Sequence, residues 1–138
     1  MSLVLDSSAT LAWIYAEESI ASIRKVFVAL EEKGAWAPTH WPLEVANVLE
    51  MGVRRRRHDA AFRDATLADL ALLPVNLDPH TSRQAWGITL RLAERHRLML
   101  YDAAYLELAK RIHLPLATLD DDLRAAARAE GVIVLGQN

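Results

Sequence analysis

Short apolar runs alternate along the chain with longer stretches in which apolar residues recur every three or four positions. That alternation predicts βαβ units around a parallel sheet. "LVL" (Leu3–Leu5) reads as the first strand and stops at Asp6. "AWAPTHW", residues 35–41, reads as a short strand running into a loop, since Pro38 cannot donate to a sheet ladder. "LPVNL" (73–77), "LPLATL" (114–119) and "VIVL" (132–135) complete the predicted strands. Helical spacing joins Trp41, Val45, Val48, Leu49 and Gly52, then Leu67, Leu70 and Ala71. It also joins Trp86, Leu90 and Ala93, and Tyr105, Leu108, Ala109 and Ile112. "LMLY" (98–101) reads as a junction between two helices. No repeat, low-complexity tract or linker interrupts the pattern, so one domain over residues 1–138 is expected.

Composition narrows the classes. Of 138 residues, 52% are hydrophobic, enough for a continuous core. Sixteen basic and 18 acidic residues leave a formal charge of -2, so gross charge points neither to a nucleic-acid binder nor to a membrane-surface protein. The absence of cysteine excludes disulfides, thiolate zinc sites and cysteine nucleophiles. No signal-peptide pattern and no bilayer-length apolar stretch is found, so a cytoplasmic protein without membrane attachment is expected.

The acidic residues stand at the ends of predicted elements. Ligands of open parallel sheets gather beyond the carboxyl ends of the strands, where Asp6 and Asp120 fall. Each also reads as a helix N-cap, in "DSSAT" and "TLDDDL". Glu44 lies in the helical row Trp41, Glu44, Val48, Met51, where a carboxylate must neutralise, bind a cation or pair, for instance with a buried arginine. Asp102 opens a helix and reads either as a cap or as a site residue. An all-carboxylate set without cysteine or zinc-spaced histidine suits a hard cation such as magnesium or manganese. His40, His58, His80, His96 and His113 read as scattered surface residues. No phosphate-cradling glycine motif and no G-x-S-x-G elbow is present.

These stretches together resemble the PIN domains, and among them the VapC-type toxins of type II toxin-antitoxin pairs. "LVLDSSATLAW" is similar to that family's first strand and acid, "PTHWPLEVANVL" to its glutamate-bearing helix, and "LMLYDAAYLELAKRIHLPLATLDDDL" to its paired-aspartate half. The resemblance spans essentially the whole chain. It implies a three-layer α/β/α sandwich with a mostly parallel central sheet and a Mg²⁺- or Mn²⁺-dependent endoribonuclease. It assigns cation-site roles to Asp6, Glu44, Asp102 and Asp120, with Ser8 and Thr118 in support. It further implies an RNA substrate, a cognate antitoxin and a homodimer. In "TLDDDL", Asp120 then faces the cation, Asp122 reaches it through water or a second ion, and Asp121 is solvated at a helix N-terminus. Four such carboxylates are expected to repel one another, which raises their pKa values and weakens cation binding in acid.

"RRRRH" (54–58) reads as a solvated helix end or as an RNA-phosphate grip by Arg54, Arg55, Arg56 and Arg57, and antitoxin contact is a further use. Trp13, Ile14, Tyr15, Trp36 and Trp41 are core candidates, some of which would line a groove for a partner helix. Three other functions remain for comparison. A phosphatase of the haloacid-dehalogenase type would want an aspartate where Ser8 stands. A non-catalytic protein-binding module would keep the fold without the activity, and a PIN nuclease of RNA processing would act outside a toxin-antitoxin pair.

Overall fold

The computed structural model describes residues 2–15 and 20–136. Along them run β1 (Leu3–Leu5), α1 (Ser7–Ile14), α2 (Ala21–Lys33), β2 (Ala35–Pro38), α3 (Trp41–Arg54), α4 (Ala60–Ala71), β3 (Val75–Asp78), α5 (Thr81–Gln84), α6 (Ile88–His96), α7 (Leu100–Ile112), β4 (Leu116–Ala117), α8 (Asp121–Ala129) and β5 (Val134–Leu135). The strands pair in the order β3-β2-β1-β4-β5, every pair parallel. Leu5 stands opposite Ala117, and Pro38 opposite Asp78.

The connections after β1 and β2 step toward one edge of the sheet, and those after β3 and β4 step toward the other. Right-handed crossovers therefore put α1–α4 on one face and α5–α8 on the opposite face, the expected three-layer sandwich. The order reverses between β1 and β4, so a crevice opens beyond their carboxyl ends.

Burial follows from these layers. The central β1 is covered on both faces, and Leu3, Val4 and Leu5 are all buried, hence an apolar run rather than an alternation. The edge strands β3 and β5 leave Leu77 and both residues of β5 partly accessible. In α7 every residue from Ala103 to Ala109 is buried, because the helix packs between the sheet and its neighbours α6 and α8. Each fully buried leucine there, Leu106 and Leu108 included, contributes about 1.5–3 kcal/mol. Glu107, on the same helix, is paired with Arg111, which also grips Asp78 at the end of β3.

Several sequence expectations change. The fourth and fifth strands shrink to two residues each, and the third runs from Val75 to Asp78. Of the row Trp86, Leu90 and Ala93, only Ala93 faces inward; the buried residues of α6 are Thr89, Leu92 and Ala93. Gly87 breaks the chain direction (φ -112°, ψ -109°), α6 begins at Ile88, and Trp86 is left 91% exposed. The short α5 has no periodic signal in the sequence. Glu44 does not lie on the buried stripe of α3, which is Trp41, Val45, Leu49 and Gly52; it flanks that stripe, and Val48 is exposed. Gly52 is required by packing, since a Cβ there would come 2.4 Å from Nε2 of His58.

Candidate active site

The crevice at the strand-order reversal is built first by Asp6. The residue leaves β1 with its N–H bonded to the Ala117 carbonyl, then caps α1 by accepting from Ala9 N at 2.8 Å. Ser8 Oγ lies 2.8 and 2.9 Å from its two carboxylate oxygens. The same hydroxyl accepts from Leu119 N at 2.9 Å and sits 3.3 Å from Thr118 Oγ1. Thr118 Oγ1 in turn accepts from Asp120 N at 3.1 Å. Ser8 and Thr118 thus sew the end of β1 to the loop after β4. The cap and site readings of Asp6 are compatible: one oxygen serves the helix while the carboxyl stays at the crevice. Burial pushes this carboxyl up to about 6, against hydrogen bonds from Thr118, Ala9 and Ser8 that pull it down, and Asp102 adds to the rise.

Asp120 likewise caps α8, accepting from Leu123 N at 2.8 Å. Asp121 and Asp122 occupy the first turn of that helix, where negative charge is favoured. The Asp121 side chain is 96% exposed, as expected of a solvated residue. Arg124, one turn on, donates to the carbonyls of Thr118 and Gly136 and so pins the loop that carries Asp120.

Asp102 is not an N-cap. That position in α7 belongs to Met99, and Asp102 sits in the first turn with a half-buried carboxyl. Among the described residues no hydrogen bond or ion pair reaches it. Burial raises its pKa; Asp120, Glu44 and Asp122 add to the rise, and His40 opposes it. Asp102 is therefore within electrostatic reach of every other acid at the crevice.

Glu44 has partners, but no arginine is among them. Tyr105 donates its hydroxyl to Oε1 at 2.8 Å, His40 Nε2 stands 3.0 Å from the same oxygen, and Ser7 Oγ donates to Oε2 at 3.1 Å. Burial pushes the carboxyl up, yet hydrogen bonds from His40, Tyr105 and Ser7 outweigh it and hold Glu44 below the usual range. The expectation of raised pKa values thus holds for Asp6 and Asp102 and fails for Glu44, because donors outnumber the repelling neighbours there. Sequence reading passed over His40, Tyr105 and Ser7. Two helical spacings could have found the first pair: His40 precedes Glu44 by four residues, and Tyr105 follows Asp102 by three. Nor are the histidines all scattered surface groups, for His58 meets Tyr15 at 2.9 Å and His96 meets Glu130 at 2.6 Å.

The basic run lies elsewhere. All four arginines at the carboxyl end of α3 are exposed, but Arg54 pairs with Glu50 and Arg57 stacks over the Tyr15 ring. Glu44 is in the first turn of that helix, so the run begins about 15 Å along its axis from Glu44. Of the aromatics, Trp13 stacks on Phe27 and Trp41 donates to Thr10, both as core residues.

The acids supply oxygen donors only, and among the described residues Asp102 has no competing partner, which suits a hard divalent cation. Among the described residues no three acidic or histidine side chains are already gathered closely enough to clasp an ion.

Known structures share this architecture. PAE2754 from Pyrobaculum aerophilum is 27% identical, with a TM-score of 0.68 over 97% of this chain and 83% of that one. VapC20 of Mycobacterium tuberculosis, a sarcin-ricin loop cleaving toxin, is 20% identical, with a TM-score of 0.60 over 90% and 94% of the two chains. VapBC2 from Rickettsia felis, bound to a DNA fragment from their promoter, is 12% identical, with a TM-score of 0.68 over 100% of both chains. No curated protein sequence matches significantly. The PIN domain profile matches residues 3–129, from the first strand through the last helix and across all four acids of the crevice, so the chain belongs to the PIN domain family.

Proposed function

We propose that this protein is a divalent-cation-dependent endoribonuclease and the toxin of a type II toxin-antitoxin pair. The observation that carries the reading is the electrostatic coupling of Asp102 with Asp120, Glu44 and Asp6 at the strand-order reversal, with Asp102 half-buried and unpartnered among the described residues. A half-buried carboxylate surrounded by like charge is costly unless a cation joins it. Asp6, Asp102 and Asp120, with Glu44, would hold Mg²⁺ or Mn²⁺. When bound, the ion supplies Lewis acidity that offsets charge building on the phosphate during in-line hydrolysis. Ser8 and Thr118 hold Asp6 in place, and Arg124 steadies the loop of Asp120. Asp102, lacking a donor of its own, is free to accept a hydrogen bond from the attacking water. Asp122 adds negative potential at the rim.

Membership in the PIN family and the likeness to VapC20, a sarcin-ricin loop cleaving toxin, support the enzymatic part. The likeness to VapBC2 supports a cognate antitoxin partner. An apolar groove of about 260 Å³ between α3 and α4, lined by Trp41, Pro42, Val45, Leu67 and Leu70, offers a seat for an amphipathic segment of such a partner. A homodimer and cytoplasmic residence belong to the same reading. No described helix is long and apolar enough to cross a membrane.

The test is Mn²⁺-dependent cleavage of a mixed tRNA and rRNA pool by the native chain, by Asp102→Asn, and by the native chain with chelator. Cleavage by the native chain alone supports the proposal. Manganese binding without cleavage of any RNA in the pool favours the non-catalytic binding module, and cleavage by a chain that no antitoxin inhibits favours a nuclease of RNA processing.

A further inference from the structure

We propose that Tyr105 and His40 are positioning residues, a two-armed clamp that holds the Glu44 carboxylate at a set place relative to Asp102. This rests on the reading of the four acids as a cation site. Both arms meet at one atom, Glu44 Oε1: the Tyr105 hydroxyl at 2.8 Å and His40 Nε2 at 3.0 Å. Both also lead to the helix that carries Asp102. Tyr105 stands on α7 one turn after Asp102, and its ring is wholly buried, so its hydroxyl is aimed from inside the core. His40 Nε2 lies 3.1 Å from the backbone carbonyl of Tyr101, the residue just before Asp102. Both neighbours of Nε2 are acceptors, so that nitrogen carries the proton and shares it between Glu44 and Tyr101. The imidazole also lies against the Tyr101 and Tyr105 rings, at centroid distances of 5.8 and 5.2 Å. Ser7 closes the other side of the carboxylate at Oε2.

Two neighbouring carboxylates on separate helices repel, and long side chains relieve that repulsion by swinging apart. The clamp prevents this for Glu44, while Asp102 has no such restraint among the described residues. Glu44 is thus the restrained carboxylate of the pair. Mutating partners that orient metal ligands typically costs about 10–100-fold in metal affinity.

The first variant is Tyr105→Phe, which removes one hydroxyl and keeps the ring. Calorimetric Mn²⁺ titration without RNA should show affinity weakened about tenfold, the lower end for such orienting partners. In a Glu44→Gln background the same change should cost nothing further, since the clamp acts only through that carboxylate. On the second arm, His40→Ala should weaken binding comparably and His40→Gln, which restores an N–H donor, should recover it. Unchanged affinity in Tyr105→Phe, or an equal loss in the Glu44→Gln background, overturns the clamp. Should Tyr105→Phe fail to fold, the His40 pair decides by the same criterion. If the native chain binds no Mn²⁺, the cation-site reading falls. The clamp is then judged by the Glu44 carboxyl ¹³C resonance at fixed pH: displacement and broadening in Tyr105→Phe sustain it, and an unchanged resonance overturns it.

Discussion

The hydroxyls of Ser8 and Thr118 lie 3.3 Å apart, although 110 residues separate them in the chain. Through this contact the carboxyl end of β1 and the loop after β4 become one surface, with Asp6 on one side and Asp120 on the other. Ser8 also gives Asp6 a donor and Leu119 N an acceptor. Ser8→Ala removes both, so the Asp6 carboxyl is expected to rise further and the fold to lose about 1–3 kcal/mol for the orphaned buried groups. Carboxyl NMR titration reads the first effect and urea unfolding the second. An Asp6 midpoint unchanged from the native protein would show that Ser8 is not a donor to it.

Asp6 makes the apo protein less stable at neutral pH than it would otherwise be. Its carboxyl titrates at about 6 in the folded state against 3.8 as the ordinary value, so between those pH values the folded chain holds a proton that the unfolded chain has released. Stability from this group is therefore fully present below pH 3.8 and is lost as pH rises toward 6, by about 3 kcal/mol at most. Asp6→Asn keeps the cap acceptor for Ala9 and carries no charge. It is expected to be more stable than the native chain at pH 8, with the gap closing by pH 3.5, while losing cleavage. Urea unfolding of both proteins at the two pH values checks the sign; an equal gap at both would reject it.

Glu130 shows the opposite linkage. Hydrogen bonds from Lys110 and His96, with burial opposing and Arg95 assisting, hold its carboxyl down at about 2. Its contribution is present above the unfolded value of 4.5 and is lost as pH falls toward 2. Because its partners reach from α6 and α7, Glu130→Gln should loosen the packing of both against the end of α8, at a cost of about 1–3 kcal/mol at pH 7. Near pH 2 the variant and the native chain should unfold alike. Paired denaturation curves at the two pH values test this.

Arg55 and Arg56 are exposed, whereas Arg54 is engaged with Glu50. If the pair touches RNA phosphates, Arg55→Ala with Arg56→Ala should weaken binding of an uncleaved RNA and flatten its salt dependence by about 1.4 in log–log slope. Arg54→Ala should leave the slope closer to native. Binding measured across a salt series decides, and an unchanged slope in the double variant removes RNA contact from this end of α3.

Local chemistry makes much of this molecule legible along the chain. Asp6 and Asp120 follow apolar runs and precede helical ones, and both placements follow from cap preference and hydrophobic periodicity over a few neighbouring residues. The alternation of elements likewise predicts the parallel α/β sandwich. Long-range packing decided the rest. Strand order brought Ser8 to Thr118 and created the crevice, and no local pattern encodes which strands become neighbours. Trp86 was misplaced because its spacing ignores the break at Gly87. The partners of Glu44 include a tyrosine 61 positions away and no arginine, because the strand order brings the starts of α3 and α7, from opposite faces of the sheet, to the same crevice. The sequence by itself determined which residues could be acids at the ends of strands; the tertiary structure decided which of them are held, which is left without a partner, and hence how they would share a cation.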